Sequence, residues 1–139
     1  MNKLLFLILL FPILVFAQGM KLKNPDKETN FNLMKSGKFV QEINHPKVVK
    51  GYFMVIKDSI KYEYSENGKY VVKSKIIYLR PDTFQSIAYE TNLPGFECHM
   101  SEIVETKILK TSTKDSLIRT KERINKGKWH DFVMRKIID

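Results

Sequence analysis

One cysteine in 139 residues rules out an internal disulfide, so the stability of this chain has to come from its core. Cys98 is read first as a small buried apolar residue; a free thiol or a bond between two chains is the other reading. Histidine is almost as scarce. His45, His99 and His130 form no metal-binding spacing such as H-x-x-x-H. Glu97-Cys98-His99 sets three potential ligands side by side, but neighbours on a strand point to opposite faces and do not converge on one ion. G-x-S-x-G, P-loop and G-x-G-x-x-G motifs are absent. Glu63, Glu90, Glu102 and Glu105 have no spacing that marks an acid/base pair. The sequence therefore nominates no catalytic residue, no metal ligand and no cofactor.

Arginine is also sparse. Arg80, Arg119, Arg123 and Arg135 are the full set, and lysine supplies most of a formal net charge of +9. Bidentate phosphate recognition is usually given to arginine, so there is no specific nucleic-acid signature. A scattered basic surface favours anionic company such as lipid head groups or acidic polysaccharide. An anionic envelope surface is thus one partner class, and a well-solvated surface with no specific partner is the plainer alternative.

Only one long apolar run exists, the 13 residues from Leu4 to Phe16, well short of the ~20 that a spanning helix needs. With Lys3 before it, and Val15 and Ala17 at the positions a signal peptidase reads, residues 1–17 have the three parts of a secretory signal. Cleavage is expected after Ala17. Gln18 follows rather than cysteine, which excludes a lipoprotein signal. The expected product is exported, periplasmic or secreted, has no transmembrane span after cleavage, and keeps 122 of the 139 residues, one domain's worth of chain.

Residues 18–36 form a polar, turn-rich lead-in, read as mobile with one helical turn from Asp26. Residues 37–139 form a single β domain. Short runs of Val, Ile, Tyr, Phe and Thr predict eight strands, at 38–43, 48–57, 60–64, 70–79, 83–91, 103–111, 117–124 and 129–137. Asn67-Gly68 marks a two-residue hairpin turn, and Pro81 breaks the chain between the fourth and fifth strands. The last segment also fits a short terminal helix. Short connections favour antiparallel neighbours. The fold class is all-β, an antiparallel meander of about eight strands, with a closed barrel preferred over a sandwich because closure removes exposed edges.

The stretch Leu33-Met34-Lys35-Ser36-Gly37-Lys38-Phe39 resembles the start of a bacterial lipocalin-like, calycin-type barrel, where a short lead-in precedes Gly-x-Trp on the first strand. Phe39 stands at the tryptophan position. The resemblance implies that a late arginine, Arg135 or Arg123, covers that ring. It also implies carriage of a small apolar ligand.

Tyr62, Tyr64, Tyr70 and Tyr78 flank the Asn67-Gly68 turn. A phenol joins an apolar ring to a hydroxyl, which suits a ligand cavity; cross-strand aromatic pairs that merely stabilise a hairpin are the structural alternative. Phe39, Tyr62, Tyr78 and Phe84 are the candidate ligand-binding residues. The functional expectation is an exported barrel binding a small apolar ligand. The alternative is a secreted or periplasmic interaction or inhibitor module acting through its basic surface.

Overall fold

A computed structural model describes residues 21–42 and 51–138. The expected leader, residues 1–17, lies outside the described residues, as does the start of the expected second strand. Eight antiparallel strands follow in chain order: β1 (Gly37–Gln41), β2 (Phe53–Lys57), β3 (Ile60–Ser65), β4 (Tyr70–Arg80), β5 (Thr83–Thr91), β6 (Ile103–Ser112), β7 (Leu117–Ile124) and β8 (His130–Ile137). Each pairs with its sequence neighbour, and β8 pairs with β1 from Lys38↔Ile137 to Gln41↔Met134, closing the barrel. The last segment is therefore a strand rather than a helix, because β1 needs a partner on its free edge.

Local chemistry accounts for the hairpins. Asp58 and Ser59 have φ of 53° and 59° and join the paired residues Lys57 and Ile60. That is the positive-φ pair which matches the twist of flanking strands. Asn67 and Gly68 also have positive φ, 57° and 92°, and the Lys69 N–H donates to the Glu66 carbonyl at 3.3 Å. The ladder, however, resumes at Ser65↔Tyr70. The loop is thus one residue longer on each side than a two-residue turn, with Glu66 also at positive φ. Register shifts in β4–β5 at Lys73/Ser74 and Tyr78/Arg80, and in β6–β7 at Ile108/Lys110, are the local bends that let a sheet curl shut.

The two ends of the barrel differ. One end carries the β2–β3, β4–β5 and β6–β7 hairpins and is filled by Met34, Phe39, Ile56, Ile76, Phe84, Ile108 and Ile118, with Phe31 and Leu33 packed against them. The lead-in seals this end. Its helical turn is a short 3-10 turn at Phe31–Met34 rather than at Asp26. Nor is the lead-in loose: the Asp26 N–H donates to the Thr111 carbonyl at 2.8 Å, and the Asp26 carboxylate accepts from the Thr113 N–H at 3.0 Å. The hydroxyls of Thr111 and Thr113 also donate to that carboxylate.

The cation beside Phe39 is neither expected arginine. Lys136 Nζ stands 5.9 Å from the ring centroid and donates to the Leu33 carbonyl at 3.1 Å. Arg135 instead grips Glu42 through two N–H groups at 2.8 Å, and Arg123 lies over Trp129 while bonding Glu105. Period-two alternation explains the change. Arg135 and Arg123 share a face with the outward side chains, and Lys136 reaches Phe39 from the strand paired to it.

Candidate functional site

The other end of the barrel is hollow. An eight-stranded barrel is just wide enough to be filled by side chains or to enclose a small cavity, and this one is filled towards one end and hollow towards the other. A cavity of about 200 Å³ is lined by Met54, Val72, Ala88, Val104, Phe132 and Met134, among others. It lies towards the β3–β4 and β7–β8 turns and the β5–β6 connection.

Its polar groups come from the inward faces of two strands. On β3 the inward set is Lys61, Glu63 and Ser65, since Lys61 pairs with Ile56 and Glu63 with Met54, both buried, and directly paired residues face the same side. On β7 the inward set is Ile118, Thr120, Glu122 and Ile124; Ile118 and Thr120 are buried, and Glu122 and Ile124 line the cavity. Around a closed ring of eight strands β3 and β7 are diametrically opposed. Lys61 with Glu63 therefore faces Glu122 across the cavity.

Lys61 is only 4 % exposed. Its ammonium lies 3.1 Å from Glu63 Oε2, and the Tyr52 hydroxyl donates to Glu63 Oε1 at 3.0 Å. Burial by itself pulls the Lys61 pKa down, but the Glu63 and Glu122 carboxylates outweigh it and the net shift is upward. Burial, reinforced by the same two carboxylates, pushes the Tyr52 phenol well above its ordinary value. Glu122 is raised too, chiefly by burial, with Glu63 adding to the rise and Lys61 and the Thr106 hydroxyl opposing it. Thr106 donates to Glu122 at 3.1 Å.

A second polar pair sits on the β5–β6 connection, where His99 Nδ1 and Glu102 Oε1 are 2.9 Å apart. Both line the cavity beside the buried Phe96. A 3-10 turn at Glu97–His99, following Pro94-Gly95, lifts this segment off the sheet. Cys98 is consequently exposed rather than buried. Among the described residues no group of three or more His, Cys, Asp or Glu side chains is arranged to hold a metal ion.

The four residues singled out from the sequence lie elsewhere. Phe39 and Phe84 are packed in the filled end. Tyr78 rests against Phe84 with ring centroids 5.8 Å apart, but it is 41 % exposed at the rim of that same end. Tyr62 points outward, stacked with Tyr64, which stacks in turn on Phe53. The cross-strand aromatic contacts are thus Tyr64 with Phe53 across β2–β3 and Tyr78 with Phe84 across β4–β5, and none of the four residues lines the cavity. The interior residues were missed because Lys61 and Glu63 alternate with tyrosines, and a charged/aromatic alternation reads as charge to solvent. Their pairing with Met54 and Ile56 is the signal that places them inside. Comparison with known protein families, with curated proteins and with solved structures finds no match to this chain.

Proposed function

We propose that this protein is an exported β-barrel that holds a small ligand in its hollow half. The observation that carries the reading is the cavity itself: about 200 Å³ with apolar walls and a few converging polar groups, the usual make-up of a small-molecule site. The volume is below the ~300 Å³ where drug-sized sites begin. It suits a compact molecule, since a cavity of about 150 Å³ takes up benzene. The apolar ligand expected from the sequence is thereby refined to one with a polar group, because a wholly apolar guest would desolvate Glu122 without a new partner. The lipocalin-like opening at Gly37-Lys38-Phe39 supports the same reading.

The test is a titration of the mature chain, from Gln18, with a panel of compact fragments of about ten non-hydrogen atoms, the size such a cavity admits, followed by amide chemical shifts. Saturable shifts confined to the strands around Ala88, Val104 and Phe132, and abolished in a folded Ala88→Leu variant that fills the space, are the expected result. Shifts scattered over the outer surface, or none at all, would defeat it.

One observation favours the surface-interaction reading as the alternative. Ile77, Tyr78 and Leu79 are 50 %, 41 % and 51 % exposed, beside Arg80 at the β4–β5 hairpin. Apolar side chains rimmed by a basic residue suit contact with an anionic surface. Co-sedimentation with anionic but not neutral lipid vesicles, lost in Ile77→Ser/Leu79→Ser, is the outcome that reading requires.

A further inference from the structure

The cavity collects more negative than positive charge, although the chain as a whole is strongly basic. Glu63, Glu102 and Glu122 line it together with Lys61 and His99. Two of the three carboxylates are answered within the protein. Glu63 has the Lys61 ammonium and the Tyr52 hydroxyl, and Glu102 has His99. Glu122 has no cation within 4.0 Å among the described residues; its hydrogen bond there is the one from the Thr106 hydroxyl. A carboxylate offers about four acceptor positions, so most of the capacity of half-buried Glu122 is left open towards the cavity it lines.

A second, independent group points the same way. Ser86, on β5, lines the cavity and is 1 % exposed, and its hydroxyl has no hydrogen-bond partner among the described residues. An unpaired buried hydroxyl is costly, because its lost hydration is not replaced. Ser86 pairs with Val104, and Thr106, two residues on along β6, pairs with Glu122. Ser86 and Glu122 therefore lie on the same side of the barrel, with one strand between them.

We infer that the cavity is a site for a small organic cation, a primary amine on a compact apolar body, with Glu122 receiving the ammonium and Ser86 supplying a further acceptor. This rests on the reading of the barrel as a ligand holder. An anion would confront three carboxylates while the one lysine ammonium is already engaged. A neutral apolar guest would leave Ser86 unpaired and Glu122 with Thr106 alone. A bare metal ion lacks a ligand set among the described residues. An amine answers Glu122 directly, and its body lies against Phe132, Phe96 and the methionines Met54 and Met134, which suit an aromatic or aliphatic group near a cation.

Calorimetric titration of the mature chain with 2-phenylethylamine, 2-phenylethanol and phenylacetate tests this, because the three share a body and differ in charge. The amine is expected to bind at least about tenfold tighter than the alcohol, a difference of ~1.4 kcal/mol, and phenylacetate not at all. Glu122→Gln should erase the preference for the amine while leaving the alcohol's affinity in place, and Ser86→Ala should weaken the amine a few-fold. The wild-type comparison stands even if a variant fails to fold. Alcohol or phenylacetate binding as tightly as the amine overturns the cation assignment and leaves the ligand-holding reading intact. So does an amine affinity unchanged in folded Glu122→Gln. No binding of any of the three overturns the cation assignment together with the cavity's role as a site for compact aromatic ligands.

Discussion

The Lys136 side chain crosses directly over Gly37: its Cε lies 2.8 Å from where a Cβ on residue 37 would stand. The crossing lets the ammonium reach the Leu33 carbonyl and the Phe39 ring, tying β8 to the lead-in at the sealed end. Gly37 also has φ of 121°, where L side chains are strained. Gly37→Ala is expected to cost about 1–3 kcal/mol, part from the backbone and part from displacing Lys136. In a Lys136→Ala background the second part disappears. Chemical denaturation of the four proteins of this cycle should give a coupling energy clearly different from zero; strict additivity would mean that the crossing carries no energy.

Lys61 is the ammonium that the cavity carboxylates lean on. Lys61→Met keeps the volume and removes the charge, leaving Glu63 and Glu122 without it. The expected loss is about 3–5 kcal/mol near neutral pH, the scale for breaking a buried pair from one side. The loss should shrink on acidification, as Glu122 takes up a proton at its raised pKa, and in the double variant with Glu63→Gln. A Lys61→Met protein as stable as the parent at pH 7 would contradict the buried pairing.

Glu122 should act in the opposite direction. Its folded-state pKa lies above the ordinary glutamate value, so through that interval the folded protein binds more protons than the unfolded chain. Stability attributable to Glu122 therefore falls as pH rises from the ordinary glutamate value through the raised one. Glu122→Gln removes this penalty. The variant should be more stable than the parent above that window, and equal to it at acid pH where both side chains are neutral. Thermal melts across pH are the measurement; a variant less stable at pH 8 than at pH 4, relative to the parent, would refute it.

Gly68 isolates backbone strain from packing. A Cβ there would meet nothing closer than the Phe53 ring edge at 4.0 Å, yet φ is 92°. Gly68→Val should cost about 1–3 kcal/mol. Gly68→Asn should cost less, since asparagine tolerates positive φ. Equal midpoints for the two variants would mean that the turn relaxes to another conformation.

Asp26 anchors the lead-in. The Thr111 hydroxyl and the Thr113 backbone N–H hold its carboxyl below the ordinary aspartate value, so its contribution is present above that value and is lost as pH falls through the depressed one. Asp26→Ala should accelerate amide exchange at Asn30 and Leu33, whose N–H groups are bonded at the sealed end, while β4 and β5 amides stay protected. Exchange unchanged at Asn30 would show that the lead-in is held without it.

Much of the architecture can be read from local sequence because it is set by local chemistry. Alternating Val, Ile, Tyr and Thr runs, and breaks at Asn67-Gly68, Pro81, Pro94-Gly95 and Gly127, place the strands close to their observed limits, apart from the second, which begins at Phe53 rather than at 48; short connections favour antiparallel order, whereas closure into a barrel rather than a sandwich is decided by the pairing of β8 with β1. Which face of each strand turns inward is a different matter. On β2, Phe53 and Val55 are apolar on one side and Met54 and Ile56 on the other, so its pattern does not choose a core face. Once Asp58-Ser59 pairs Lys57 with Ile60, that choice fixes β3 as well. With Met54 and Ile56 inside, Lys61 and Glu63 must follow them, and Tyr62 and Tyr64 must face out. Propensity cannot see this, because the buried Lys61 is answered by Glu63 on its own strand only if that face turns inward, and by Glu122 only when closure of the ring brings β7 opposite. The strands and their sequence order belong to the sequence alone; the acidic cavity exists only in the closed barrel, where residues 61 and 122 meet across a space that neither segment can form by itself.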